Sequence, residues 1–272
     1  MPMTIGSSDT LYIRISKDRI VFARYDRIKD STLNFSTFPV NGSISLNANM
    51  LQALKRQPLA KGDFSQVFAC IDCPVTLVPL NEFDDEEMET IYHYNLPDSA
   101  KGRKRVFYDM LPMQNAVMLG CIEKDLEHVL HEAFPYITLH STQMPMLLHW
   151  SSLCKPTEKA GKVFVNIQED KMTLAAFREG NISLLNSFDG TQEAMNALYY
   201  LMNFLQQWNI QPTVDEIYLT GIHPLNTALL DHLRKYYPNT FALKMEKDFN
   251  RYVATLAHEL PYDMIALLLK AF

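Results

Sequence analysis

Cys70-Ile71-Asp72-Cys73 has the C-x-x-C spacing that serves zinc ligation or thiol redox chemistry. A structural zinc site takes four ligands, usually as two such pairs, and Cys121 and Cys154 do not form a second one. Thioredoxin-like chemistry wants the motif at the opening of a helix, whose N-terminus lowers a thiol pKa. Here it ends a run with strand character, "QVFACIDCP", and meets Pro74, so the thiols read as small core residues. His128, His131 and Glu132 lie three and four residues apart on one predicted helix without the H-E-x-x-H order of a zinc helix, and they read as surface groups. Two charged turns remain, Arg14-Ile15-Ser16-Lys17-Asp18 and Asn166-Ile167-Gln168-Glu169-Asp170. Arg14, Lys17 and Lys171 offer positive charge to an anion, whereas Glu169 and Asp170 repel one, and both turns read as solvated or ion-paired surface. No Gly-rich phosphate loop, G-x-S-x-G elbow or Ser/His/Asp constellation is recognisable.

The elements that carry the two turns are copies of one plan. "LYIRISKDRIVFARY" (Leu11 to Tyr25) aligns with "VFVNIQEDKMTLAAF" (Val163 to Phe177) at an offset of 152 residues. Ile15, Asp18 and Ala23 recur as Ile167, Asp170 and Ala175, and the neighbouring apolar classes agree. Each copy alternates apolar and polar residues about a polar turn, the pattern of a hairpin. "TLNFSTF" then parallels "ISLLNSF", a helix-like segment follows in each half, and "QVFACIDCP" and "DEIYLTGIHP" end at prolines 150 residues apart. The order strand–strand–strand–helix–strand, present twice, predicts a duplicated α/β protein with mixed sheets flanked by helices.

Composition bounds the function classes. With 272 residues, 47% hydrophobic and 21% charged, the chain belongs to the soluble globular class and can bury a full core. A net charge of −6 argues against a general nucleic-acid binder, which needs a basic face to displace counterions. The first thirty residues read as neither signal nor transit peptide. No window approaches the roughly 18 uninterrupted apolar residues of a membrane span. Four cysteines are too few for a disulfide scaffold in so long a chain and suit a reducing cytoplasm. The acidic run Asp84 to Glu89 suits a helix start, and "KGRKR" (Lys101 to Arg105) reads as a solvated loop.

The duplicated unit resembles the ribonuclease-H-like fold of the actin-like ATPases, whose two lobes close on a nucleotide. The closer likeness is to actin-like bacterial assembly proteins: cytoplasmic scaffolds of pilus assembly and secretion, the cell-division actin homologue, and an uncharacterised bacterial family grouped with this fold. It is carried by "PLNEFDDEEMETIYHYNLPDSAKGRKRVFYDML" and "AVMLGCIEKDLEHVLHEAFPYITLHSTQMPMLLHWSSL", which resemble their inserted α+β subdomain, and by the closing helix "ELPYDMIALLLKAF". The resemblance implies a first lobe over residues 1–156 with the insert at about 80–140, and a second lobe over 157–272 lacking the outer subdomain. The closing helix is expected to pack on the second lobe.

The resemblance also implies where nucleotide chemistry would sit. Actin-like ATPases cradle phosphate on the first hairpin turn of each lobe, with an Asp ending the strand for Mg²⁺ and a Gly two residues on for close backbone approach. Arg14 and Ser16 stand at these positions in the first lobe, and Asn166 and Gln168 in the second. The adenosine-side glycine pair is reduced to Gly221 followed by Ile222. Arg14, Ser16, Lys17, Asn166, Gln168 and Gly221 thus mark a vestigial nucleotide cleft with no catalytic residue and no metal ligand. ATP with Mg²⁺ is disfavoured. The expected function is a non-catalytic binding or assembly scaffold of the bacterial cytoplasm, with a protein partner on the inserted subdomain, room for self-assembly, and neither nucleic acid nor membrane span. The alternative is a divergent ATPase or small-molecule kinase that uses Arg14, Lys17 and Gly221 around nucleotide. A nuclease has little support, because Arg14 and Asn166 stand where its metal-binding carboxylates would.

Overall fold

A computed structural model describes residues 10–25, 33–100, 102–243 and 259–270. The N-terminal nine residues and Lys101 of the basic "KGRKR" stretch lie outside this set. β1 (Thr10–Ile15), β2 (Arg19–Tyr25) and β3 (Leu33–Pro39) form an antiparallel meander. α1 (Leu46–Arg56) follows, started by Ser45, whose hydroxyl accepts from the Ala48 N–H, and ended by Lys55 and Arg56 at the negative end of the helix dipole. β4 (Gln66–Ile71) then returns parallel to β1.

The chain next builds β5 (Thr76–Pro79), α2 (Met88–Asn95), β6 (Lys104–Leu111) and β7 (Ala116–Glu123). Their three strands make a separate sheet in the order β5-β7-β6. α3 (Lys124–Ala133) carries the chain back to β8 (Ile137–Ser141), which pairs parallel to β4. A parallel neighbour needs such a crossover. Of the stretch expected as an insert, the β5-β7-β6 sheet with α2 stands apart, while β8 belongs to the first-lobe sheet. α4 (Gln143–Ser152) leads into the second lobe.

That lobe repeats the plan as β9 (Lys162–Gln168), β10 (Lys171–Arg178), β11 (Asn181–Asp189), α5 (Ala194–Gln207) and β12 (Glu216–Thr220), followed by α6 (Leu225–Leu233) and β13 (Thr240–Leu243). The two large sheets run β3-β2-β1-β4-β8 and β11-β10-β9-β12-β13. The duplication therefore extends to the fifth strand, with parallel β4/β8 matched by parallel β12/β13. One helix alone lies between β11 and β12.

Strand parity decides what each first strand buries. Leu11, Ile13 and Ile15 pack with Met50 and Ala53 of α1 in the first lobe's own core, and Val163, Val165 and Ile167 pack with Leu201 and Phe204 of α5 in the second. The alternate residues Tyr12 and Phe164 face a third core shared by both lobes. Successive side chains point to opposite sides of a sheet, so an even offset of 152 residues keeps the two copies in phase. Arg14 and Asn166 are thereby turned toward the other lobe.

The C-terminal helix α7 (Tyr262–Lys270) corrects one expectation: it runs against α4 and β1 rather than on the second lobe alone. Every residue from Pro261 to Leu268 is buried, and a helix apolar nearly all round must be covered on all sides. The shared core is stitched by Trp150 of α4, which stacks on Phe164 of β9 with centroids 5.4 Å apart and planes at 8°. Its Nε1 donates to the Tyr262 hydroxyl at 3.0 Å. No helix among the described residues is long and apolar enough to cross a membrane.

Candidate functional site

The two hairpin turns meet face to face between the lobes, and their charges are complementary. Arg14, next to last in β1, is only 2% exposed. Its Nε donates to Asp263 Oδ2 of α7 at 2.7 Å and its guanidinium reaches Glu169 Oε1 of the second turn at 3.2 Å. Arg19 Nε donates to the same Glu169 oxygen at 2.7 Å. In the reverse sense Lys171 Nζ, at the start of β10, donates to Asp72 Oδ1 after β4 at 2.6 Å. Lys17 and Asp170 approach to 3.8 Å at the rim, where Lys17 is exposed and the pair contributes little.

Burial opposes the charge on Arg14, but Asp263, Glu169 and Asp72 more than offset it and hold the guanidinium protonated. Burial likewise pushes the Asp263 carboxyl up while Arg14 pulls against it. Lys171 ends above its ordinary range, because Asp72 outweighs the cost of burial. Glu169 sits at φ +58°, in the left-handed region that costs a non-glycine residue about 1 kcal/mol. The turn holds that conformation where its carboxylate serves two arginines.

The space left between the turns is about 20 Å³, bounded by Arg14, Asp72, Asn166, Gln168, Lys171 and Asp263 among others. That suits a single water molecule, against roughly 300–1,000 Å³ for a small-molecule site. Ser16, at the first-lobe glycine position, spends its hydroxyl on its own turn: it donates to the Arg19 carbonyl at 3.1 Å and accepts from the Arg19 N–H at 3.2 Å. Gly221 keeps φ +71° and lies so close to α7 that a Cβ would come within 3.2 Å of Tyr262 Cβ. Ile222, in place of the second glycine, is exposed. The residues present do not fit Mg-ATP: both carboxylates that line the cavity, Asp72 and Asp263, are taken by Lys171 and Arg14, and the volume falls short by more than tenfold.

The structure thus brings together Arg14, Asn166 and Gln168 around one cavity, sets Gly221 beside Asn166, and leaves Ser16 and Lys17 off the lining. Of the expectation of solvated or ion-paired turns, the structure shows ion pairs at Arg14 and Lys171 and an exposed tip at Lys17 and Asp18, while Arg14, Ser16 and Asn166 are buried at 2%, 1% and 2% exposure. Sequence reasoning missed Asp72 and Asp263 as partners. The signal that was present is a single charge reversal between the copies, Lys17 against Glu169, beside the conserved signs of Asp18/Asp170 and Arg19/Lys171.

The thiols are as expected from their strand setting. Cys70, Cys73 and Cys121 are buried, and burial pushes the Cys70 and Cys73 thiols well up. Burial also lifts Cys154, to about 12. Among the described residues no three His, Cys, Asp or Glu side chains are grouped to hold a metal ion. Ellman titration of the native protein at pH 8 is expected to find no fast-reacting thiol, and titration in denaturant to find four. A fast native thiol would contradict this packing.

The same architecture occurs in solved structures. A protein of Bacteroides thetaiotaomicron VPI-5482, described as having an actin-like ATPase fold and unknown function, superposes with TM-score 0.81 at 24% identity over 98% of each chain. The PilM-PilN type IV pilus biogenesis complex matches with TM-score 0.64 at 13% identity, over 97% of this chain and 98% of the other. No curated protein matches the chain. Residues 3–240 match the family described as protein of unknown function, DUF3822; the chain belongs to that family and has the two-lobed actin-like ATPase fold.

Proposed function

We propose that this protein is a non-catalytic binding or assembly scaffold of the bacterial cytoplasm, in which the nucleotide cleft of the fold has become a clamp between two lobes, residues 1–156 and 157–272. The observation that carries the proposal is the Arg14–Asp263 pair, buried at 2.7 Å where the turns leave about 20 Å³. Opening that space for a polyphosphate would expose or strand the charges of Arg14, Asp263 and Lys171, each of which is now paired. Arg14, Ser16, Lys17, Asn166, Gln168 and Gly221 are then remnants of a cleft, not ligands.

The inserted subdomain is the proposed seat of a protein partner. PilM, which shares the fold, is found in a complex with PilN, and such a scaffold works by what it holds rather than by turnover. Self-assembly through the same subdomain is compatible with this role.

Calorimetric titration with ATP and with ADP, each with and without Mg²⁺, tests the proposal. The expected result is no binding heat up to millimolar nucleotide. A dissociation constant near micromolar, about −8 kcal/mol, would overturn it and favour a divergent ATPase or small-molecule kinase.

A further inference from the structure

Two sheet edges face one another where the inserted subdomain meets the second lobe. β5 is the outer strand of the three-stranded sheet and β11 the outer strand of the second-lobe sheet; among the described residues neither has a strand on its free side. Both line one open groove of about 450 Å³, with Thr76–Pro79 on one wall and Ile182–Leu185 on the other. No residue lining it is charged. An edge strand presents a row of backbone N–H and C=O groups spaced for another strand.

Gln114, in the loop between β6 and β7, shows what that edge accepts. Its Oε1 accepts from the Ile182 N–H at 2.5 Å and its Nε2 donates to the Gly180 carbonyl at 3.1 Å. A residue of a parallel strand makes the same two bonds, to the N–H of one residue and the carbonyl two positions earlier. One peptide-like amide is thus already paired with the free edge of β11. Gln114 also borders a second hollow of about 360 Å³ walled by Met113, Leu148, Cys154, Glu179 and Gly180, with Met113 79% exposed.

We infer that an extended, uncharged peptide segment of a partner protein seats in this groove as an added strand on β11. The inference rests on the scaffold function proposed above and supplies the partner's chemistry. The four residues of β5 span roughly 13 Å at about 3.3 Å per residue, so about four residues of the segment are gripped. Main-chain bonds to β11 carry the affinity, and the apolar side chains lining the groove, such as half-buried Leu77 and Ile182, select apolar side chains at alternate positions. β5 stands across the groove from β11, and a second copy of this chain would have to bring β10 in behind its own β11.

Selection of a random twelve-residue phage-displayed peptide library on the intact chain, followed by synthesis of the enriched peptide, tests this. The enriched peptide is expected to alternate apolar residues and to slow amide exchange in β5 and β11 at least tenfold. N-methylation of one alternate set of its amides is expected to weaken binding at least tenfold, and of the other set less than twofold. Failure to enrich any peptide, protection mapped elsewhere, or equal loss from both N-methylated sets would overturn the inference. So would β11 protection that grows with protein concentration in the absence of peptide, because a second copy would then cover the edge. Nucleotide titration reads the cleft, not this groove, so binding of ATP would defeat the function proposed above and leave the peptide result to be judged separately.

Discussion

Replacing Arg14 by Leu is expected to lower the free energy of unfolding by about 3–5 kcal/mol, because it leaves the Asp263 carboxylate buried without its cation. Glu169 keeps Arg19 at 2.7 Å and is not stranded by the change. The cost is therefore assigned to one orphaned charge, and the paired substitution Arg14→Leu with Asp263→Leu is expected to recover most of it. Replacing both members of a buried pair by apolar groups of similar size is often neutral or stabilising. Urea denaturation of the two single variants and the double variant checks this as a double-mutant cycle. A single-variant cost below about 1 kcal/mol would mean that the pair is not desolvated as described. None of the three variants is expected to bind ATP, since removing the plug puts no glycine at Ser16 or Gln168.

Trp150→Ala is expected to cost about 3–5 kcal/mol, an effect of the same size reached by packing rather than charge. The indole is fully buried, stacks on Phe164 of the other lobe and donates to Tyr262 of α7. Its removal opens a hole in the core that both lobes share. Trp150→Phe, which keeps an aromatic face against Phe164, is expected to cost clearly less. The chain has two tryptophans, so after the substitution Trp208, which lies beside Arg178 in the second lobe, reports that lobe alone. In the unaltered protein, fluorescence and circular dichroism are expected to trace one coincident urea transition, because the shared core leaves neither lobe its own boundary. Two separated transitions there would contradict it.

Much of the fold was legible because the chain says it twice. The apolar alternation of Leu11–Tyr25 and Val163–Phe177 became β1, β2, β9 and β10 at the same 152-residue offset. The altered turns at Arg14, Ser16, Asn166 and Gln168 were legible as departures from a phosphate cradle. Their fate was not. Asp263 lies 249 residues from Arg14, and Lys171 lies 99 residues from Asp72. Such pairs are set by how two sheets dock, which no local pattern carries. Parity was the overlooked clue: Arg14 shares a strand face with Tyr12, and an apolar residue at that position already says the face is covered. The placement of α7 was legible only in part: its apolar face predicted a packed helix, but not that it would lie in the core both lobes share, against α4 and β1.

The opposition of charge between the two turns also bears on how the chain avoids assembling incorrectly. Copies of one ancestral unit share a docking face, so two first lobes from neighbouring chains have every geometric reason to pair as a first and second lobe do. Such a pairing would set Arg14, Lys17 and Arg19 against their own duplicates, with the Glu169 and Asp263 carboxylates that answer them left on other parts of each chain. Like charges brought together out of water are strongly repelled. A first lobe set against another first lobe therefore forfeits the Arg14–Asp263 and Arg19–Glu169 pairs, so the asymmetry of the two turns selects a second lobe as the mate of a first lobe.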